Sequence, residues 1–141
     1  MTWSVKYDPV TKIAELTYTG RITREELIAS VAERIRVQKQ HGTILTLTDA
    51  SQIEYLDVDI LDIHDLPAKL YDSAEVNRAT RLALLPPHPK DAREIARHYV
   101  NACLNRGWIV QTFEDRQNAI EWLMKNDSFS DEDEYDGATN I

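Results

Sequence analysis

LTDASQIEYLDVDIL, running from Leu47 to Leu61, decides how the chain is read. Its apolar start belongs to a strand that runs into Asp49-Ala50-Ser51, and Asp57-Val58-Asp59 follows, where a helix can begin. A strand passed to a helix across a short turn is the repeating unit of an α/β domain, so the same alternation is expected on either side. The junction also raises a functional question. Asp49, Ser51, Asp57, Val58 and Asp59 form either an interaction and regulatory turn or only a well-capped connection.

Upstream, Trp3, Val5 and Tyr7 alternate with polar residues, the period of a half-buried strand. DPVTK, with Pro9, supplies a turn, and Ile13 to Thr19 alternates again with Ala14, Leu16 and Tyr18 on one face. The pair reads as an antiparallel hairpin ended by Gly20. Thr23-Arg24-Glu25-Glu26 is a capping box, so a helix starts there and stops at Gly42. Thr43 to Thr48 is then the strand that enters the central stretch.

Downstream, two shorter helical pieces are expected between Ser51 and Thr80, the second starting near Pro67, since proline suits a first helical turn. Leu82 to Leu85 reads as a buried strand, and the helix after it spans Lys90 to Arg106. Trp108 to Phe113 is a further strand, and Asp115 to Lys125 a last helix. The order β-β-α-β-α(α)-β-α-β-α predicts one α/β domain. Its mixed β-sheet is led by an N-terminal antiparallel hairpin, with right-handed βα crossovers and covering helices.

The net charge of −8 is unevenly placed. Residues 127–141 hold six acids and no Lys or Arg, which leaves −2 on residues 1–126. The expected organisation is a folded domain over 1–126 and an acidic tail over 127–141. The tail has too few apolar residues to offset the entropy of ordering, so it is expected to be disordered. A nucleic-acid footprint needs a clustered basic face, and none is seen. One cysteine, Cys103, suits a reducing compartment. The start of the chain lacks the apolar core of a signal peptide, and no apolar run reaches the roughly 20 residues of a membrane span. These features predict a cytoplasmic protein with no stable membrane insertion.

The order of elements and the junction together resemble the STAS/SpoIIAA-like superfamily, whose fold is that of anti-sigma-factor antagonists. RLALL with the prolines after it, AREIARHYVNACLNRGW and VQTFEDRQNAIEWL make the chain look most like a bacterial SpoIIAA-like branch. Proteins of that branch go by the name STAS/SEC14-like and have unknown function. The resemblance spans residues 3 to 125. In phosphorylated members the third strand ends in Asp-x-Ser and leads to Asp-Ser-Ser-Gly at a helix start. Laid on without a gap, that pattern matches Asp49, Ser51 and Asp57, but puts Val58 on the phosphorylated serine and Ile60 on the glycine. The resemblance therefore implies a regulatory turn that lacks its usual phosphorylatable serine. Chemistry agrees, because Asp57 or Asp59 can cap the helix amides that would otherwise receive a phosphate.

The other candidate sites are weaker. Asp57, Asp59, Asp62 and Asp65 surround His64, but the run lacks the glycine and closing glutamate of an EF-hand and reads as a solvated face, with no metal. Cys103 and His98 lie five apart on one helix and do not share a face. Ser51, His64 and Asp57 have no nucleophile elbow or oxyanion loop around them. No catalytic residue and no cofactor are expected. Ile60, Leu61, Ile63, Leu66, Leu70 and Tyr71 can lie over the sheet as a lid on an apolar pocket, and the SEC14-like name of the branch implies such a pocket.

The leading expectation is a non-enzymatic regulatory or protein-interaction module. Its partner is another protein, and its working surface lies between Asp49 and Asp65. The alternative is a carrier or sensor for a small apolar ligand or lipid, with a pocket under the helices of residues 57–76. A homodimer is compatible with either.

Overall fold

The computed structural model describes residues 2–125. The acidic segment 127–141 lies outside the described residues. β1 (Trp3–Asp8) and β2 (Ile13–Thr23) pair antiparallel. Asp8 shapes the turn between them: its Oδ1 accepts from the Val10 amide at 2.9 Å and its carbonyl from the Lys12 amide at 2.7 Å. The capping box forms as the sequence implies. Thr23 Oγ1 accepts from the Glu26 amide at 3.2 Å, and Glu26 Oε1 accepts from the Thr23 amide at 3.0 Å. From there α1 (Arg24–His41) runs to Gly42, whose φ of 65° is the left-handed stop that a glycine adopts without strain.

β3 (Leu45–Asp57), α2 (Ile60–Pro67), β4 (Arg81–Leu85), α3 (Lys90–Asn105), β5 (Ile109–Thr112) and α4 (Arg116–Met124) follow in the expected order among the described residues. The five-stranded sheet has order β1-β2-β3-β4-β5, with every pair after the first parallel. Val31 and Ile35 of α1, Tyr71, and Ala92 and Cys103 of α3 pack on one face against Leu16, Tyr18, Ile53 and Leu84. On the other face Ala119 and Leu123 of α4 pack against Ile13, Leu47, Ala83 and Leu85. The result is a three-layer α/β domain.

Two boundaries differ from expectation. Gly20 does not end the hairpin. It sits inside β2 at φ 77°, between two register shifts in the β2–β3 ladder, and the strand continues to Thr23. Pro67 does not open a new helix. It is the last residue of α2, which passes directly into a single π-helical turn, Ala68–Asp72.

Candidate functional site

The largest correction falls on the opening stretch. Asp49 and Ser51 are not at a strand-to-helix turn, because β3 runs through them to Asp57. Each register shift against β2 inserts one extra residue into β3. Thr17 pairs with Asp49 but Thr19 with Gln52, and Gly20 pairs with Ile53 but Arg21 with Tyr55. Inward positions after Ala50 therefore fall at Ile53 and Leu56, a spacing of three that hides the strand from a period-two reading.

The five residues are consequently split. Ser51 Oγ and its amide donate to Asp49 Oδ1 at 2.6 and 3.0 Å. Asp49 faces α4, with its carboxylate 4.0 Å from Arg116, whose guanidinium is held bidentately by Glu15 at 2.6 Å. Six steps along the extended strand, roughly 20 Å away, lie Asp57, Val58 and Asp59. Val58 is half-buried on the opposite layer, against the core under α1 and α3. Asp57 is exposed at the strand end, and Asp59 caps α2, accepting from the Leu61 amide at 3.0 Å. The actual junction is Val58-Asp59, and its helix N-terminus already holds an anion.

Around this junction three large apolar side chains stand exposed among the acids Glu54, Asp57, Asp59 and Asp65. Leu61 is 75% exposed, Tyr55 45% and Ile60 36%, while Arg21 stacks over Tyr55 at 4.3 Å from the ring centroid. Asp62, on the first turn of α2, pairs with Arg24 of α1 at 3.3 Å and anchors the helix beside the capping box. The segment expected to be a lid thus divides in function. Ile60 and Leu61 face solvent, whereas Ile63, Leu66 and Tyr71 are buried and Leu70 packs at the core margin.

Beneath Ile63 and Tyr71 is a cavity of about 70 Å³, lined also by Tyr18, Val31, Arg34 and Tyr99. Ligand sites for drug-sized molecules enclose about 300–1,000 Å³, and this cavity is well below that range. A buried polar seam on α1, of which Arg34 lines the cavity, was not foreseen from the sequence. Ser30, Arg34 and Gln38 lie four apart on α1 and are all buried. Ser30 Oγ meets the Tyr18 hydroxyl at 2.5 Å, and Gln38 Nε2 donates to Thr80 Oγ1 at 2.8 Å. Between them Arg34 donates from Nη1 to Thr48 Oγ1 at 3.1 Å and from Nη2 to the Tyr71 hydroxyl at 2.6 Å. Tyr71 in turn shares a hydrogen bond with the Tyr99 hydroxyl. A signal was present: a polar stripe of period four alongside Leu27, Val31 and Ile35 is a second helix face that packs inward.

Cys103 is buried beside Tyr99, and burial pushes its thiol up to about 12, which keeps it protonated and unreactive as a nucleophile at neutral pH. His98 points elsewhere, edge-on to His64 at 5.7 Å and 3.5 Å from Glu94.

A mixed sheet led by a hairpin, with three consecutive parallel strands added on one side and helices on both faces, defines a class. The chain has the SpoIIAA-like fold. It is similar to an anti-sigma factor antagonist from Mycobacterium paratuberculosis, with a TM-score of 0.57 at 12% identity over 88% of this chain and 94% of the other. An uncharacterized protein of the DUF3478 family with a SpoIIAA-like fold, from Shewanella loihica PV-4, matches at TM-score 0.51 and 18% identity, over 86% and 91% of the two chains. The anti-sigma factor antagonist SpoIIAA in its unphosphorylated form matches at 0.50 and 11% identity, over 85% and 96%. No protein-family model and no curated protein matches the chain. At these identities the likeness is one of fold. Among the described residues no helix is long and apolar enough to cross a membrane.

Proposed function

We propose that this chain is a regulatory protein-binding module without a catalytic step of its own, working in the cytoplasm through the surface where β3 meets α2. The observation that carries this reading is the exposure of Tyr55, Ile60 and Leu61 within seven residues of that junction. Large apolar side chains held in solvent beside an ion-paired helix start are the material of a docking patch. The solved structures it resembles include two anti-sigma factor antagonists, which supports a protein as the partner.

The input is not a phosphate on the usual serine. Val58 has no hydroxyl, and the Asp59 carboxylate already takes the Leu61 amide at the helix start where a phosphate would bind. The docking surface is therefore constitutive, set by sequence rather than by a kinase. Asp49 and Ser51 lie on the other layer and are not part of this patch.

The test is a comparison of baits. The wild-type chain and its Leu61→Asp and Val10→Asp variants are expressed in the source cells, and co-purifying proteins are quantified. Val10 is 86% exposed at the hairpin turn, the opposite end of the sheet. The reading expects a partner retained by wild type and Val10→Asp and reduced at least about tenfold on Leu61→Asp, as for the loss of an anchoring side chain. Equal recovery on all three baits contradicts it.

A further inference from the structure

Arg34 is a buried cation without a counter-anion. It is 2% exposed, and among the described residues its hydrogen-bond partners are two hydroxyls, Thr48 and Tyr71, with no carboxylate paired to it. Its Nε–H has no partner at all. An arginine does not shed its proton in a protein, so neutralisation cannot relieve the burial. Buried charges are otherwise paired, because an isolated one is strongly disfavoured. Of its neighbours on the same face of α1, Ser30 reaches Tyr18, and Gln38 donates to Thr80 while its own Oε1 stays unpartnered, so Arg34 is the member of the stripe that carries an uncompensated charge.

The same residue lines the cavity, and the rest of that wall is mostly apolar: Val31, Ile53, Leu56, Ile63 and Ile95. The polar exceptions, Tyr18, Thr48, Tyr71 and Tyr99, carry hydroxyls. A cavity with one cationic end and an apolar remainder selects a ligand with one anionic end and a short alkyl body. Size narrows it further. An engineered apolar cavity of about 150 Å³ accepts benzene, and this one is about half that.

We propose that the Arg34 cavity binds a short-chain monocarboxylate, of the size of acetate or propionate. The carboxylate pairs with the Arg34 guanidinium that lines the cavity, and the alkyl end lies among Val31, Ile53, Leu56 and Ile63. α2 and the π turn cover the site, and Tyr71 on that turn reads the guanidinium directly. π-helical turns of this kind recur at functional positions. Occupancy therefore bears on the element that also presents Leu61. The inference does not rest on the docking reading, since it concerns the interior of the domain and not its surface.

The experiment titrates the full chain with sodium propionate, sodium chloride at equal ionic strength, and propionamide. Calorimetry and the ¹H–¹⁵N signal of the Arg34 Nε–H are read together. The proposal expects saturable one-to-one binding of propionate, a shift of the Nε–H signal during that titration, and no such shift with chloride. Propionamide, which has the same shape without the charge, binds at least about tenfold more weakly, the usual scale for losing a charged hydrogen bond. Arg34→Met loses propionate binding while its unfolding remains cooperative. Because the Nε–H signal is read on wild type, a variant that fails to fold does not remove the test. Three results overturn the proposal: equal responses to propionate and propionamide, equal responses to propionate and chloride, or none. A tyrosinate absorbance band at neutral pH, unchanged by propionate, would also overturn it by placing the counter-charge on Tyr71 or Tyr99.

Discussion

Arg34 on α1 donates to the Tyr71 hydroxyl at 2.6 Å, and this bond ties the longest helix to the π turn that follows α2. The Tyr71 ring also lies 5.3 Å from Trp108, so the residue belongs to the core and to the polar seam at once. Tyr71→Phe keeps the ring and deletes the hydroxyl, and with it the bonds to Arg34 and Tyr99. It is expected to cost about 1–3 kcal/mol, because a buried charged donor is left with one partner fewer. Urea unfolding measures it: the midpoint falls while the slope stays at the wild-type value. A midpoint within error of wild type would show that the Tyr71 hydroxyl and its two bonds contribute nothing.

Asp59 closes the N-terminus of α2. Asp59→Ala is expected to destabilise by about 0.5–2 kcal/mol, the range for a lost N-cap. Asp59→Asn, which keeps the accepting oxygen, should retain most of that stability. Amide exchange on Leu61 distinguishes the two, since its donor loses protection only in the alanine variant.

The Asp72 carboxyl is held below the usual carboxylate range first by the hydrogen bond from Arg106, whose Nε is 2.8 Å away, with Arg78 adding its charge at 3.1 Å. A depressed value in the folded state means that the unfolded chain binds the proton more readily. Stability from this cluster is present above the unfolded value of about 3.9 and is lost as pH falls through the lower folded value. Asp72→Asn is therefore expected to lower the midpoint at pH 7, with the gap to wild type closing in acid. A gap that stays constant from pH 7 to pH 2 would contradict the linkage.

Burial raises the Cys103 thiol to about 12, against roughly 8.5 in an open chain. At pH 8 the native protein should resist thiol reagents and react fully once unfolded. Above pH 9 only the unfolded chain releases this proton, so folding weakens as pH climbs towards 12. Cys103→Ala should remove that part of the alkaline decline. Rapid labelling of the native protein at pH 8 would place the thiol outside the core.

Most of the fold was legible because its signals are local. The capping box at Thr23 and Glu26, the glycine at 42 and the buried run Leu82–Leu85 each act through near neighbours in the chain. The second half of β3 was not, since Ala50, Ile53 and Leu56 face inward only because two extra residues bulge against β2, and that depends on a partner strand. For the same reason Asp49 and Ser51 read as neighbours of Val58 and Asp59 when a length of strand and the sheet itself separate them. Arg34 was missed for a different cause. A single arginine between Val31 and Ile35 looks like the solvent edge of an amphipathic helix until Tyr71, 37 positions later, is brought over it. Leu61 was legible as apolar but not as exposed.

The docking surface is tested most directly by placing a photoreactive phenylalanine analogue at position 61 and, separately, at position 10, then irradiating cells that express each chain. The account predicts one discrete covalent adduct from position 61, unchanged when protein phosphorylation is blocked, and none from position 10. No adduct from position 61, or the same products from both positions, would contradict it.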